Sequence, residues 1–334
     1  DINKPRNILF DDKADIDDLI NRVLTSKSEI TIFTSGTTGQ PKKVVHTIGT
    51  LTRSTRVSFK YHSQIWAFAF NPTHMAGLQV FFQAFANKNA LINVFNKNRV
   101  EVYELLSEYH VTHISATPTF YRLLLPVEKS YPEVCRVTLG GEKSNTKLYE
   151  SMLLIFPNAR INNIYASTEA GSLFAAKGDL FQIPVELKDK IKVEDEELLI
   201  HNSLLGKSDS FSCVGDYYHS GDLIEWIDSD KGLFRFKSRK NELINVGGYK
   251  INPGEVESVM MQFDGVQQAF VYGKPNSVLG NILCAEIKIE EGCSLSELDI
   301  RHWLADKLQE FKIPRKIKFV ENIALTRTGK LKRT

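Results

Sequence analysis

The chain has 334 residues, 42% hydrophobic and 25% charged, a composition that excludes disorder, a collagen-like repeat or coiled coil throughout. At about 150 residues per domain, that length predicts two domains. The 42 Lys and Arg against 40 Asp and Glu leave a net charge of +2, so no global field attracts nucleic acid or an anionic membrane, and neither partner is expected. Residues 14–29 read as a short helix, and 30–34 as a strand entering a loop rich in glycine and hydroxyls at 35–42. Between 65 and 125 strands and helices alternate: strand 66–70, helix 73–88, strand 90–95, helix 100–109, strand 112–118. Strands leading into loops recur at 135–142 and 159–169, separated by a helix at 147–156. This alternation predicts a large α/β domain with helix-covered sheets.

Near residue 190 the texture changes to short strands joined by Asp, Ser and Gly turns, the pattern of a small distorted β-barrel or meander. After Arg239 come a helix over 254–263, strands at 267–274 and 282–289, a long amphipathic helix over 295–311 and a strand at 317–321. The expected division is 1–240 for the large domain and 241–334 for a small α+β unit. Cys135, Cys213, Cys284 and Cys293 form no C-x-x-C pair, so neither a disulfide framework nor a structural zinc is expected, and a reducing cytoplasm is the default. The start, DINKPRNILFDD, is polar and acidic, unlike a signal peptide. The richest apolar stretch is broken by Asn71, Pro72, His74 and Gly77, short of the roughly 18 residues a membrane span needs.

The chemistry concentrates at Thr34-Ser35-Gly36-Thr37-Thr38-Gly39-Gln40-Pro41-Lys42. Its glycines allow a tight turn with outward N–H groups, and its hydroxyls and lysine add donors, which suits an anion such as a triphosphate. It is not a Walker A loop, because no lysine directly follows the second glycine. No histidine has Cys or His partners at metal-ligand spacing, so a metal role for histidine is not expected.

This run resembles the phosphate loop of the adenylate-forming enzymes, which include acyl- and aryl-CoA ligases, luciferases and peptide-synthetase adenylation domains. Further segments resemble that family's motifs in the same order. Gly140, Gly141 and Glu142 in LGGE resemble its adenine-side loop. Tyr165-Ala166-Ser167-Thr168-Glu169 resembles its Y-G-x-T-E segment, which implies Tyr165 against adenine, Thr168 on the α-phosphate and Glu169 holding Mg2+. Asp222 in YHSGD, with Ser220 in place of threonine, would accept the ribose hydroxyls, and Arg239 would add a ribose or phosphate contact. The hinge position falls on Asn241, where the family usually has aspartate or lysine. LTRTGK resembles the segment that delivers a catalytic lysine, here Lys330. The segment around His74 resembles the one whose histidine borders the acyl pocket, beside the plainer reading of a helix-start histidine bonded locally.

The resemblance implies activation of a carboxylic acid, aryl or short acyl, by Mg·ATP to an acyl-adenylate with release of pyrophosphate. Transfer to the thiol of coenzyme A would follow; the alternative acceptor is the phosphopantetheine of an acyl carrier protein. A non-catalytic nucleotide-binding protein is the reading from another class, and it predicts broken motifs. The resemblance further implies a mobile C-terminal lid and a possible homodimer. Peptide-synthetase domains that take α-amino acids carry an aspartate where this chain has Asn71, so an ammonium would lack its partner and such a substrate is disfavoured. Only 33 residues precede Thr34, so the large domain is expected to be truncated or naturally compact, similar in size to short o-succinylbenzoate–CoA ligase-like proteins.

Overall fold

The computed structural model describes residues 15–34, 42–142, 144–211 and 213–324. Its central sheet has six strands in the order Ala90–Asn93, Ile65–Phe68, His113–Ala116, Arg136–Gly140, Arg160–Ser167 and Gly171–Ala176. The first five run parallel and the last is antiparallel. Parallel strands need covered crossovers, and helices Met75–Ala86, Arg99–Glu108, Pro118–Arg122 and Thr146–Ile155 follow strands in turn. Asn98 and Glu101 form a capping box that starts Arg99–Glu108. Val102, Leu106, Ile114, Val137, Leu139, Met152 and Phe156 pack the core between helices and sheet. The carboxyl ends of the parallel strands therefore open on one edge, where ligands of open α/β sheets bind.

His113 lies 6% exposed against the Trp66 ring, and burial followed by the charge of Arg136 pushes its imidazole down to about 4. Its folded value is below the ordinary 6.5, so the unfolded chain binds the extra proton between those two pH values. Stability contributed by neutral His113 is complete above pH 6.5 and is lost as pH falls to about 4, at most about 3 kcal/mol. Urea midpoints measured across that window should fall for the native chain and stay flatter for His113→Phe. Equal slopes would contradict this account.

A second sheet is an antiparallel meander in the order Ile191–Glu194, Glu197–His201, Tyr217–Asp228, Leu233–Arg239 and Phe181–Gln182, with Cys213–Val214 paired to Tyr217–Asp228. Phe174 of the first sheet packs with Phe181, Leu198, Ile200, Ile224 and Phe234, so one apolar cluster joins the two sheets. A separate hairpin, Glu29–Thr34 with Lys42–Thr47, packs on helices Ile16–Leu24, Ile48–Thr52 and Met75–Ala86.

The C-terminal domain is smaller and α+β. It has a hairpin, Ile244–Val246 with Tyr249–Ile251, and a three-stranded sheet of Val266–Asn276, Gly280–Ile289 and Lys316–Phe319. Helices Pro253–Met260 and Glu297–Ala305 cover that sheet through Ile251, Val256, Met260, Ile287, Ile300 and Leu304. The helix expected over 295–311 spans only Glu297–Ala305 and gives way to a 3-10 turn at Glu310–Lys312. Leu308 and Phe311 still pack on the same core, which is why the apolar period runs past the helix end. Among the described residues, no helix is long and apolar enough to cross a membrane.

Candidate active site

Strand Arg136–Gly140 ends at Gly140, and Gly141 follows with φ +81°, a left-handed turn that glycine adopts without strain. Glu142 then meets the start of the preceding helix, Pro118–Arg122, where its Oε2 accepts from the Thr119 N–H (3.0 Å) and hydroxyl (2.6 Å). The neighbouring strand Arg160–Ser167 ends in the turn that carries Thr168 and Glu169. The Ser167 hydroxyl accepts from the Ala170 N–H at 3.1 Å and closes that turn. Register thus brings the expected adenine-side loop and the expected metal-binding turn to adjacent strand ends.

Asp222 enters from the second sheet. Ser220, in the motif's threonine position, donates to Leu198 O (2.5 Å) and accepts from the Asp222 N–H (3.0 Å), so its hydroxyl shapes the bend before the aspartate. Gly221 has φ +75°, and its N–H donates to Glu197 Oε1 at 2.8 Å. Antiparallel register sets Asp222 directly opposite Arg239. Arg239 Nε donates to Asp222 Oδ1 at 2.5 Å, and the Tyr165 hydroxyl donates to Oδ2 at 2.6 Å. Tyr165, Asp222 and Arg239 therefore form one bonded unit, tying the end of the first sheet to the second.

The electrostatics follow from this unit. Burial, then the Asp222 charge and hydrogen bond, push the Tyr165 phenol well up, so it stays a donor. Burial alone would lower the Arg239 guanidinium, but Asp222 outweighs it and the net shift is upward. Burial and then the Glu169 charge push Tyr218 up to about 12. Among the described residues, none donates a hydrogen bond or forms an ion pair to the Glu169 carboxylate. A single open carboxylate fits a hard cation that brings most of its oxygen ligands with it, as Mg2+ does on a polyphosphate. Groups of three or more His, Cys, Asp or Glu able to hold a metal alone are absent among the described residues.

His74 is the N-cap residue of helix Met75–Ala86 and makes no side-chain capping bond. The preceding turn is held by Asn71, whose Oδ1 accepts from the Thr73 N–H (2.9 Å) and hydroxyl (2.8 Å). Gly77 is required beneath it, since a Cβ there would lie 2.1 Å from Asn71 O. Thr34 and Lys42 face each other across the hairpin register. Ser35, Gly36, Thr37, Thr38 and Gly39 between them, and Lys330, lie outside the described residues.

Three groups at the site escape sequence reading. Buried His46 bonds Thr168 O, Arg53 bonds Ala170 O, and buried Glu197 accepts from Gly221, from His219 (2.9 Å) and from Lys240 (2.7 Å). Burial alone would raise the Glu197 carboxyl, but those donors hold it below the usual range. No local spacing marks any of the three, because each partner is distant in sequence.

Comparison with known proteins places the chain in a family. Residues 25–197 match the family described as AMP-binding enzyme, and 255–330 match the AMP-binding enzyme C-terminal domain. Over 326 residues the chain is 27% identical to 2-succinylbenzoate--CoA ligase of Staphylococcus aureus strain MW2, covering 90% of this chain and 65% of that protein. The chain thus spans just under two thirds of the length of the curated relatives it matches. Its fold matches a benzoate CoA ligase from Burkholderia xenovorans LB400 with TM-score 0.76 at 20% identity, covering 90% of this chain and 66% of the other. It also matches o-succinylbenzoate CoA synthetase from Bacillus subtilis, in complex with its acyl-adenylate OSB-AMP, with TM-score 0.69 at 22% identity and coverage of 90% and 67%. With its large-domain match spanning more than half of its length, the chain belongs to the AMP-binding, adenylate-forming enzyme family.

Proposed function

We propose that the chain activates a carboxylic acid with Mg·ATP and passes the acyl group to a thiol. The observation that carries this reading is the bonded unit of Tyr165, Asp222 and Arg239, with the Glu169 charge acting on Tyr165 and Arg239 and its carboxylate bonded by none of the described residues. Asp222 keeps acceptor capacity beyond its two short bonds and is the group for the ribose hydroxyls, with Tyr165 against the base. Thr168 faces the α-phosphate, and Glu169 would hold Mg2+, which supplies charge neutralisation at the phosphates. A carboxylate oxygen of the acid attacks the α-phosphorus, and the bond to pyrophosphate breaks. Lys330 stabilises the charge that develops on the phosphoryl oxygens and the leaving group.

In the second half-reaction a thiol sulfur attacks the acyl carbon, AMP leaves with the bonding pair, and the thiol proton passes to solvent. The small domain, taken as 241–334, rotates about Asn241 between the halves, withdrawing Lys330 and admitting the thiol. Asn241 sits in the 3-10 turn Lys240–Glu242, directly after Arg239. We assign an aryl or short acyl acid, because the Asn71 side chain is engaged by Thr73 and offers no carboxylate to an ammonium. The 2-succinylbenzoate and benzoate ligases that the chain resembles support the same class. Coenzyme A is the proposed acceptor. Single-turnover mixing of the preformed adenylate with CoA or with a phosphopantetheinylated carrier protein, read by mass spectrometry, tests it. A CoA thioester is expected; thioester on the carrier alone would overturn the CoA assignment.

A further inference from the structure

We infer that His46 is a positioning residue that locks the Thr168–Glu169 turn to the hairpin bearing the phosphate loop, an inference that rests on the assignment of that turn to Mg·ATP. His46 lies on strand Lys42–Thr47, the arm that follows the loop, and is 1% exposed. Its Nε2 meets Thr168 O at 2.7 Å, and because a carbonyl oxygen only accepts, Nε2 carries the hydrogen. Its Nδ1 meets Thr50 Oγ1 at 3.1 Å, so both ring nitrogens are engaged and the ring orientation is fixed.

His46 is one of three such tethers in a row. The carbonyl of Glu169 accepts from the Gly206 N–H at 2.8 Å, and that of Ala170 accepts from the Arg53 guanidinium. The segment after Gly206 is itself paired to the hairpin, since Val45 and Lys207 exchange two backbone bonds of 2.8 Å. Gly206 also packs directly on the imidazole, where a Cβ would lie 2.6 Å from Cε1 and 2.7 Å from Nε2. Three consecutive carbonyls, 168 to 170, are thus held by donors from the hairpin, the helix after it and the strap beside it. Fixing those peptide planes fixes the directions in which the Thr168 and Glu169 side chains leave the backbone. The arm Lys42–Thr47 and the turn then behave as one body, and the direction of the Glu169 side chain relative to that arm is set before nucleotide arrives.

Gln and Met match each other in length, but only Gln can donate to the Thr168 carbonyl. Binding of ATP to the full chain is measured by calorimetry with and without Mg2+, alongside thermal unfolding. With His46→Met the gain in ATP affinity that Mg2+ confers should shrink about tenfold, whereas His46→Gln should stay within about threefold of the native chain. A purely structural role would lower the melting temperature and leave the Mg2+ gain alone. An unchanged Mg2+ gain in His46→Met, or an equal loss in His46→Gln, overturns the inference. Should His46→Met fail to fold, Thr50→Val removes the second anchor of the ring, together with the hydroxyl's local bond to Thr47 O, and leaves the imidazole in place. There a smaller Mg2+ gain supports the inference and an unchanged one overturns it. Failure of the native chain to bind Mg·ATP at all would instead overturn the nucleotide assignment beneath it.

Discussion

Asp222→Ala is expected to abolish measurable nucleotide binding and to lower stability by about 2–4 kcal/mol. The side chain is 8% exposed and is the shared acceptor for Arg239 Nε and the Tyr165 hydroxyl. Removing it leaves a phenol without its acceptor and a guanidinium without its counter-charge. The Arg239 side chain is 45% exposed, so water compensates it in part and the loss falls short of that for a fully buried pair. The same change removes the proposed acceptor of the ribose hydroxyls. Denaturant midpoints and calorimetric titration with ATP read the two effects separately. A variant that loses binding while keeping the native midpoint would show that the unit is not the structural tie described here.

Glu169→Gln should do the opposite. Adenylate formation should fall by about 100-fold or more, while stability stays within about 0.5 kcal/mol. No described residue bonds its carboxylate, so little in the fold depends on the charge. The backbone carbonyl of Glu169, which Gly206 holds at 2.8 Å, is untouched by the substitution. Single-turnover release of pyrophosphate at saturating ATP measures the rate, and an urea titration measures the stability. A large loss of stability with a small loss of rate would reassign Glu169 to the scaffold.

The places of several candidate site residues in the fold are legible in the chain, because glycine and polar turn residues report local backbone geometry directly. Gly140 and Gly141 mark the end of a strand, and Thr168 with Glu169 mark the turn after the next one. The sequence also carries the separation of the two domains, since the helix–strand period gives way to short strands and then to a new α+β unit. What it hides are partners chosen by tertiary packing. The His46 contact with Thr168 spans 122 positions, and that of Tyr165 with Asp222 spans 57. Strands Lys42–Thr47 and Gly171–Ala176 escape notice for the same reason, because a strand is defined by its neighbour more than by its own residues. The helix over 295–311 is overlong in the sequence because Leu308 and Phe311 keep an apolar period that packing, not helix, satisfies.

ATP–pyrophosphate exchange, screened over a panel of aryl and short acyl acids with the native chain and with Lys330→Ala, tests the central claim most directly. Exchange that depends on at least one acid and is lost in Lys330→Ala is the predicted result. No exchange with any acid, together with no effect of Lys330→Ala, would contradict the account.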